Sequence, residues 1–351
     1  MRFRYPVAIA LVLAAISCPT PASAATCVWT PTQLPLPATM TQGAVRAVDS
    51  RSGYAGEATR FSTTPGGDGT THVVRWSGGT TTDYGTVPGF APYAWVSGVN
   101  KNGLVVGHTS AATGYHERAF RSVGTALRPL PEPAGASHSW ATAVNDNGDI
   151  VGHTAALTTI GGSSYQVNTA VLWPASAPGT VVKLTGLPTT GQTIAKGIDQ
   201  DGTILVEHFS SLSYLADAET LYLWRAGTAR ALATPAGTSA VVGNAISNGR
   251  VVGASTYRDY RGVGALWEQD GALAQPTASS HMTSINRTGQ SVGWQETAPL
   301  IVTYSVWQGT AKVGTFSGNR GIDVSADDGT VGGWTRADPN APKLPASFRC
   351  V

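Results

Sequence analysis

The segment AVNDNGDIVGHT, Ala143–Thr154, decides the fold. It carries an apolar strand end (Ala143, Val144), a turn (Asn145-Asp146-Asn147-Gly148) and a second strand from Asp149 to His153. Asn at the first position of a type I turn accepts a backbone hydrogen bond on its own side chain. Gly at the fourth relaxes the chain where the strand restarts. The same reading fits GVNKNGLVVGHT (98–109) and GIDQDGTILVEH (197–208). Altered copies are AVDSRSGYAGEA (47–58), AISNGRVVGAS (245–255), SINRTGQSVGW (284–294) and GIDVSADDGTVGGW (321–334). The 351-residue chain thus holds seven copies, with a period of about 46 residues.

One unit reads as strand a (139–145), a tight turn, strand b (149–154), a variable loop, strand c (169–173), a second turn and strand d (181–188). Four short strands per repeat are the signature of propeller blades. The turn-opening column is Asp49, Asn100, Asn145, Asp199, Ser247, Asn286 and Asp323. The residue before it is always Val or Ile, which suits a packed strand position. One earlier stand Ala47, Gly98, Ala143, Gly197, Ala245, Ser284 and Gly321, all small, as crowding around an axis demands; strand a is therefore innermost. Strand c ends at Trp76, Ser122, Trp173, Trp224, Trp267, Trp307 and Cys350. The five tryptophans read as wedges between blades, because large aromatics dominate core burial. The fold expected is an all-β, seven-bladed β-propeller.

The last copy stops at its strand c, ASFRCV (346–351), without a strand d. The segment TPTQLPLP (30–37) matches strand d of other units, so an N-terminal strand should close the last blade and leave no open sheet edge. Cys27 and Cys350 then face each other across that seam and form a disulfide.

The pattern [G/A]-[V/I]-N-x-x-G-x-V-V-G followed by A-F-x-W resembles the HAF-type extracellular repeat family over residues 30–351. The family's His-Ala-Phe tripeptide is echoed by Arg118-Ala119-Phe120 and, more loosely, by Thr169-Ala170-Val171. The resemblance implies a secreted bacterial repeat protein with a propeller-like fold. It implies no shared activity and supplies no catalytic residues.

Residues 1–24 read as a signal peptide: Arg2 and Arg4, an apolar run from Val7 to Ile16 too short to span a bilayer, and the Ala22-Ser23-Ala24 cleavage signal. Cys18 leaves with it; lipidation of that Cys is the alternative. Residues 25–351 then form the propeller domain of a secreted, extracellular protein, expected to act as a monomer with no membrane span. Removing the two arginines leaves 21 basic and 21 acidic residues, a neutral balance that argues against nucleic acid as partner.

Variable loops carry function on repeat scaffolds, and here the b–c loops hold Phe61, Tyr115, Tyr165, Tyr214, Tyr257 and Tyr260. Three residues before the turn opener comes a polar column: Arg46, Ser97, Thr142, Lys196, Asn244, Thr283 and Arg320. Arg46, Lys196 and Arg320 would ring the channel with three cations and no acid, a field that selects an anion. Strand b ends with Glu57, His108, His153, Glu207, Ala254, Trp294 and Trp334. Glu57, His108, His153 and Glu207, with Trp95 and Trp140 on strand a, complete the candidate ligand-contact set. No H-E-x-x-H spacing, nucleophile elbow or Walker loop is present, so neither metal nor cofactor is expected. The function expected is non-catalytic binding of an extracellular glycan or anionic cell-surface ligand at the loop face. A polysaccharide hydrolase or lyase using the Glu and His residues as acid–base groups is one alternative, and a protein–protein scaffold is another.

Overall fold

In a computed structural model of the chain, Asn145 Oδ1 accepts hydrogen bonds from the backbone N–H groups of Asn147 (3.1 Å) and Asp149 (2.9 Å). The side chain thus closes the turn that the sequence predicts. Asn100 and Asn286 close theirs the same way, and Asp49 holds the N–H groups of Arg51 and Gly53. The described residues are 27–61, 69–114, 116–160, 162–212, 218–257, 262–274, 281–298 and 301–351. The signal peptide at 1–24, Cys18, Tyr115, Tyr214 and Tyr260 lie outside them.

Each turn sits in a four-stranded antiparallel sheet, and there are seven such sheets. Strand β1 is Trp29–Gln33. Blade 1 comprises β2 (Gln42–Val48), β3 (Tyr54–Arg60), β4 (Thr70–Ser77) and β5 (Thr80–Gly85). Blade 2 comprises β6 (Phe90–Val99), β7 (Val105–Ala111), β8 (Glu117–Val123) and β9 (Ala126–Pro129). Blade 3 comprises β10 (His138–Val144), β11 (Ile150–Ile160), β12 (Ser163–Trp173) and β13 (Val182–Lys183). Blade 4 comprises β14 (Gln192–Ile198), β15 (Ile204–Phe209), β16 (Thr220–Arg225) and β17 (Thr228–Ala231). Blade 5 comprises β18 (Thr238–Ser247), β19 (Arg250–Tyr257), β20 (Gly262–Trp267) and β21 (Leu273–Ala274). Blade 6 comprises β22 (His281–Ile285), β23 (Gln290–Ala298), β24 (Ile301–Gln308) and β25 (Ala311–Phe316). Blade 7 comprises β26 (Arg320–Ser325), β27 (Val331–Thr335) and β28 (Leu344–Cys350), with β1 as its outer strand. The chain is a seven-bladed β-propeller. Among the described residues no helix is long and apolar enough to cross a membrane.

The tryptophan column works as a wedge with a polar handle. Trp76, Trp173, Trp224 and Trp267 are mostly buried, and each Nε1 donates to a carbonyl just beyond the outer strand of the preceding blade: Pro35, Pro131, Thr185 and Ala233, at 2.6–2.8 Å. An indole buried this way keeps its N–H satisfied while its ring fills the gap between blades. In blade 7 the residue of this column is Phe348, which pairs with Val331 as Trp76 pairs with Tyr54. Cys350 lies two residues further on.

Two further expectations are corrected. The stretch 154–168 is no loop: β11 and β12 pair without interruption from Ile150–Trp173 to Ile160–Ser163, a long hairpin. Its Thr- and Ser-rich sequence reads as loop only because neither face of its outer half is packed in a core. In the seventh copy the turn opens at Ala326, whose N–H donates to the Thr330 carbonyl, and not at Asp323.

β1 pairs with β28 in antiparallel register, Trp29 with Cys350 and Gln33 with Ala346. Cys27 and Cys350 are disulfide-bonded, with Cα atoms 5.4 Å apart. The bond closes a loop of 323 residues' separation, for which chain entropy allows at most about 5 kcal/mol. We therefore expect Cys350→Ser to lower the urea midpoint of the secreted chain, and reductant to lower the parent's midpoint to the same value. A variant as stable as the parent would remove the seam from the account of stability.

Candidate functional site

The innermost strand of every blade carries one extra residue. Pairing with the second strand skips from Val45 to Ala47, Val96 to Gly98, Ala141 to Ala143, Ala195 to Gly197, Gly243 to Ala245, Met282 to Ser284 and Ile322 to Val324. The skipped residues are Arg46, Ser97, Thr142, Lys196, Asn244, Thr283 and Asp323. A β-bulge leaves one residue unpaired and re-aims its side chain. Here it aims all seven at the channel, whose cavity of about 240 Å³ they line together with residues of the a–b turns.

This ring corrects the expected cation set. Because the seventh turn opens three residues later, its bulge residue is Asp323. Arg320 instead sits at the start of β26, with its guanidinium 3.4 Å from the Trp29 carbonyl. The ring therefore has two cations and one acid. Three of the bulge side chains also bond sideways to the next blade. Thr142 Oγ1 donates to the Ala195 carbonyl (2.8 Å), Asn244 Nδ2 to that of Met282 (2.7 Å) and Thr283 Oγ1 to that of Asp323 (3.1 Å). Arg46 closes the circle by donating to the Asp323 carboxylate at 3.1 Å. The cavity opens towards the a–b turns, not towards the variable loops that the sequence nominated.

Glu57 and Glu207 each hold a bulge in place. Glu57 accepts from Arg46 Nε (2.9 Å) and from the backbone N–H of Val96 in the next blade (2.9 Å). Glu207 sits 3.8 Å from Lys196 Nζ and accepts from the N–H of Gly243 in the next blade (3.0 Å). Burial raises the carboxyl pKa of both, partly offset by Arg46 and Lys196 respectively. Burial likewise raises that of Asp323. Glu57 and Asp323 share the Arg46 guanidinium, which fills the space a glycosidic bond would need between two carboxyl groups about 5–10 Å apart. The glutamates named as acid–base candidates are thus two copies of one clasp, on blades 1 and 4.

A different arrangement occupies the same columns on blades 2 and 3. Trp95 stacks on His108 (centroids 5.1 Å apart) and Trp140 on His153 (4.5 Å), across directly paired positions of strands a and b. His138 stacks on the other face of Trp140 at 5.5 Å. Glu117 joins the two pairs: its carboxylate is 3.8 Å from His108 Nε2 and accepts from Trp140 Nε1. Burial lowers the pKa of both histidines; that of His153 falls to about 3, helped by the charge of Lys196. His153 Nδ1 has no hydrogen-bond partner among the described residues. Trp95, by contrast, is 41% exposed. The structure thus brings Trp95, His108, Trp140 and His153 together through Glu117, which sequence reasoning missed, and assigns Glu57 and Glu207 to separate clasps. No group of three or more His, Cys, Asp or Glu that could hold a metal ion occurs among the described residues.

A sequence signal for the bulges existed in the V-V-G motif. Gly in a strand interior often marks a bulge or a close backbone approach. A Cβ on Gly107 or Gly152 would lie 1.9 Å from the carbonyl oxygen of Trp95 or Trp140, the residue two before the bulge.

No protein-family model and no curated protein matches the chain. Solved structures do. A catalytically inactive virginiamycin B lyase from Staphylococcus aureus, with quinupristin, aligns at 13% identity and TM-score 0.52, over 92% of this chain and 100% of that one. An extracellular domain from B. thetaiotaomicron aligns at 10% identity and TM-score 0.51, over 91% of this chain and 39% of that one. An acylaminoacyl peptidase of Pyrococcus horikoshii aligns at 9% identity and TM-score 0.53, over 89% and 52% respectively. At these identities the likeness is one of fold.

Arg46 is half-exposed and neutralises a buried Glu57 and a part-exposed Asp323, so removing it costs less than breaking a fully buried pair, about 1–3 kcal/mol. Arg46→Met is expected to lower the unfolding free energy by that order, with Glu57→Gln and Asp323→Asn recovering part of it in the triple variant. A second expectation concerns pH. His153 is neutral when folded and titrates near its ordinary value when unfolded, so its contribution is present above pH 6.5 and is lost as pH falls towards 3. The raised carboxyls act in the opposite sense. Between pH 7 and 5 the parent should therefore lose about 2 kcal/mol more than His153→Phe, read from urea titrations at both pH values.

Proposed function

We propose that this propeller is a non-catalytic binding scaffold that works outside the cell, and that it takes a neutral glycan at the mouth formed by blades 2 and 3. One observation carries the reading: Trp95, a large aromatic, stands 41% exposed on an innermost strand while its ring is held against His108. An exposed indole of fixed orientation presents a flat apolar face at low entropic cost, which suits the apolar face of a sugar ring. Trp140 and Glu117 behind it give that face a rigid support and polar edges. The paired clasps at Arg46–Glu57 and Lys196–Glu207 hold the ring rather than offer free acid–base groups, which favours binding over hydrolysis.

The assignment to the HAF-type extracellular repeats, the exported state and the single-copy working form belong to the same proposal. The disulfide, which persists in oxidising compartments, supports export.

A glycan array with the secreted chain tests the reading. Trp95→Ala should weaken the best hit by about tenfold or more, as loss of an aromatic anchor does, while the chain stays folded with a modestly lower Tm, because the ring is partly exposed and loses its stack on His108. A Trp95→Ala variant that binds as the parent does would place the site elsewhere.

A further inference from the structure

A second groove lies between blades 2 and 3 at the side of the a–b and c–d turns, where no candidate residue was nominated. Arg121 on β8 and Arg128 on β9 are direct cross-strand partners in the register of blade 2. Like charges placed directly opposite destabilise a sheet. Neither guanidinium has an ion-pair or hydrogen-bond partner among the described residues. Both line a cavity of about 190 Å³ that contains no acidic side chain. Pro129, Pro131, Pro174 and the buried Trp173 form the apolar part of its wall.

The other blades show what this position does when it serves the fold alone. The residue equivalent to Arg121 is Leu172 in blade 3, Leu223 in blade 4, Leu266 in blade 5 and Val306 in blade 6. Blade 1 has Arg75, and its guanidinium reaches Asp49 of its own turn at 3.4 Å. In blade 2 the Asp49 position is Asn100, which bonds to its own turn and to the Asn145 carbonyl. Arg121 therefore keeps the cation and lacks the carboxylate. A departure from a local rule without an internal compensation is the mark of a site.

We propose that the Arg121–Arg128 groove binds the oxyanion of an acidic sugar residue, with both guanidinium groups on the anion and the ring against the prolines. Two planar forks side by side match a carboxylate or sulfate by paired hydrogen bonds. The cavity is smaller than the roughly 300–1,000 Å³ of sites that enclose a whole drug-sized ligand. It takes one anionic ring and not a length of polymer. The groove contains neither Trp95 nor Glu117, so it stands or falls separately from the mouth proposed above.

The test uses the intact, disulfide-bonded chain and calorimetric titration with sodium glucuronate, sodium sulfate and glucose at matched ionic strength. Glucuronate should bind, sulfate should displace it, and glucose should give no signal. Arg121→Leu, which restores the residue of blades 3, 4 and 5, should weaken glucuronate binding by about tenfold or more while raising Tm in the absence of ligand. Arg128→Thr should weaken it similarly. Trp95→Ala should leave it unchanged. No glucuronate binding, equal binding by Arg121→Leu, failure of sulfate to compete, or a lower ligand-free Tm for Arg121→Leu would each overturn the proposal.

Discussion

One extra residue per blade shapes the centre of this propeller. The bulge in each innermost strand leaves a backbone position out of the sheet ladder, and that position has to be satisfied by something other than its own blade. The solution is lateral. Thr142, Asn244 and Thr283 donate to carbonyls of the following blade, and Arg46 reaches the carboxylate of Asp323 on the blade before it. Where the bulge residue is a cation, a strand b glutamate pairs with it and accepts from the next blade's N–H. The defect that interrupts each sheet is thus what links the sheets to one another. On six blades the facing residue is a glycine, because the displaced carbonyl occupies the space a Cβ would take; blade 4 has Val206 there.

Cohesion at larger radius has a different origin. Indoles pin the segment beyond one blade's outer strand against the next blade's strand c, so each wedge couples chain that is remote in the sheet order but adjacent in space. Blade 7 is assembled from both ends of the described chain, and the Cys27–Cys350 bond lies at that junction. In a closed ring each blade packs against a neighbour on both faces, so a local opening at any one interface is opposed by every other. The disulfide acts on the one blade that the covalent backbone does not itself hold together.

Much of this was legible because it is local and repeated. Turn chemistry at Asn100, Asn145 and Asn286 depends on four or five consecutive residues, and small residues before the turn report crowding at the axis without any knowledge of partners. The seventh copy misled for the same reason. Asp323 and Ala326 both precede plausible turns, and only the pairing of Val324 with Gly332 fixes the register. A slip of three residues moved Arg320 into the channel and took Asp323 out, which turned a ring of two cations and one acid into one of three cations and no acid. The clasps and the Glu117 bridge could not be read at all. They join residues on different blades, and a column alignment orders equivalent positions without saying which non-equivalent ones touch.

The repeat is its own control for function. A side chain that does the same work on several blades is explained by the fold: Glu57 and Glu207 occupy one column, hold a cation and an N–H in the same way, and need no ligand to account for them. Blades 2 and 3 break the columns repeatedly. Trp95 and Trp140 stand where Ala44, Ile194 and Val242 stand elsewhere, histidines replace the clasping glutamates, and Arg121 stands where blades 3 to 5 have leucine. Seven-fold packing needs none of these replacements, and several work against it, as the unpartnered His153 Nδ1 and the facing arginines show. Blade 6 repeats the aromatic–imidazole stack in reversed order, His281 on Trp294, so what sets blades 2 and 3 apart is the Glu117 bridge between their two stacks together with the facing arginines, and the proposed contacts accordingly lie off-axis.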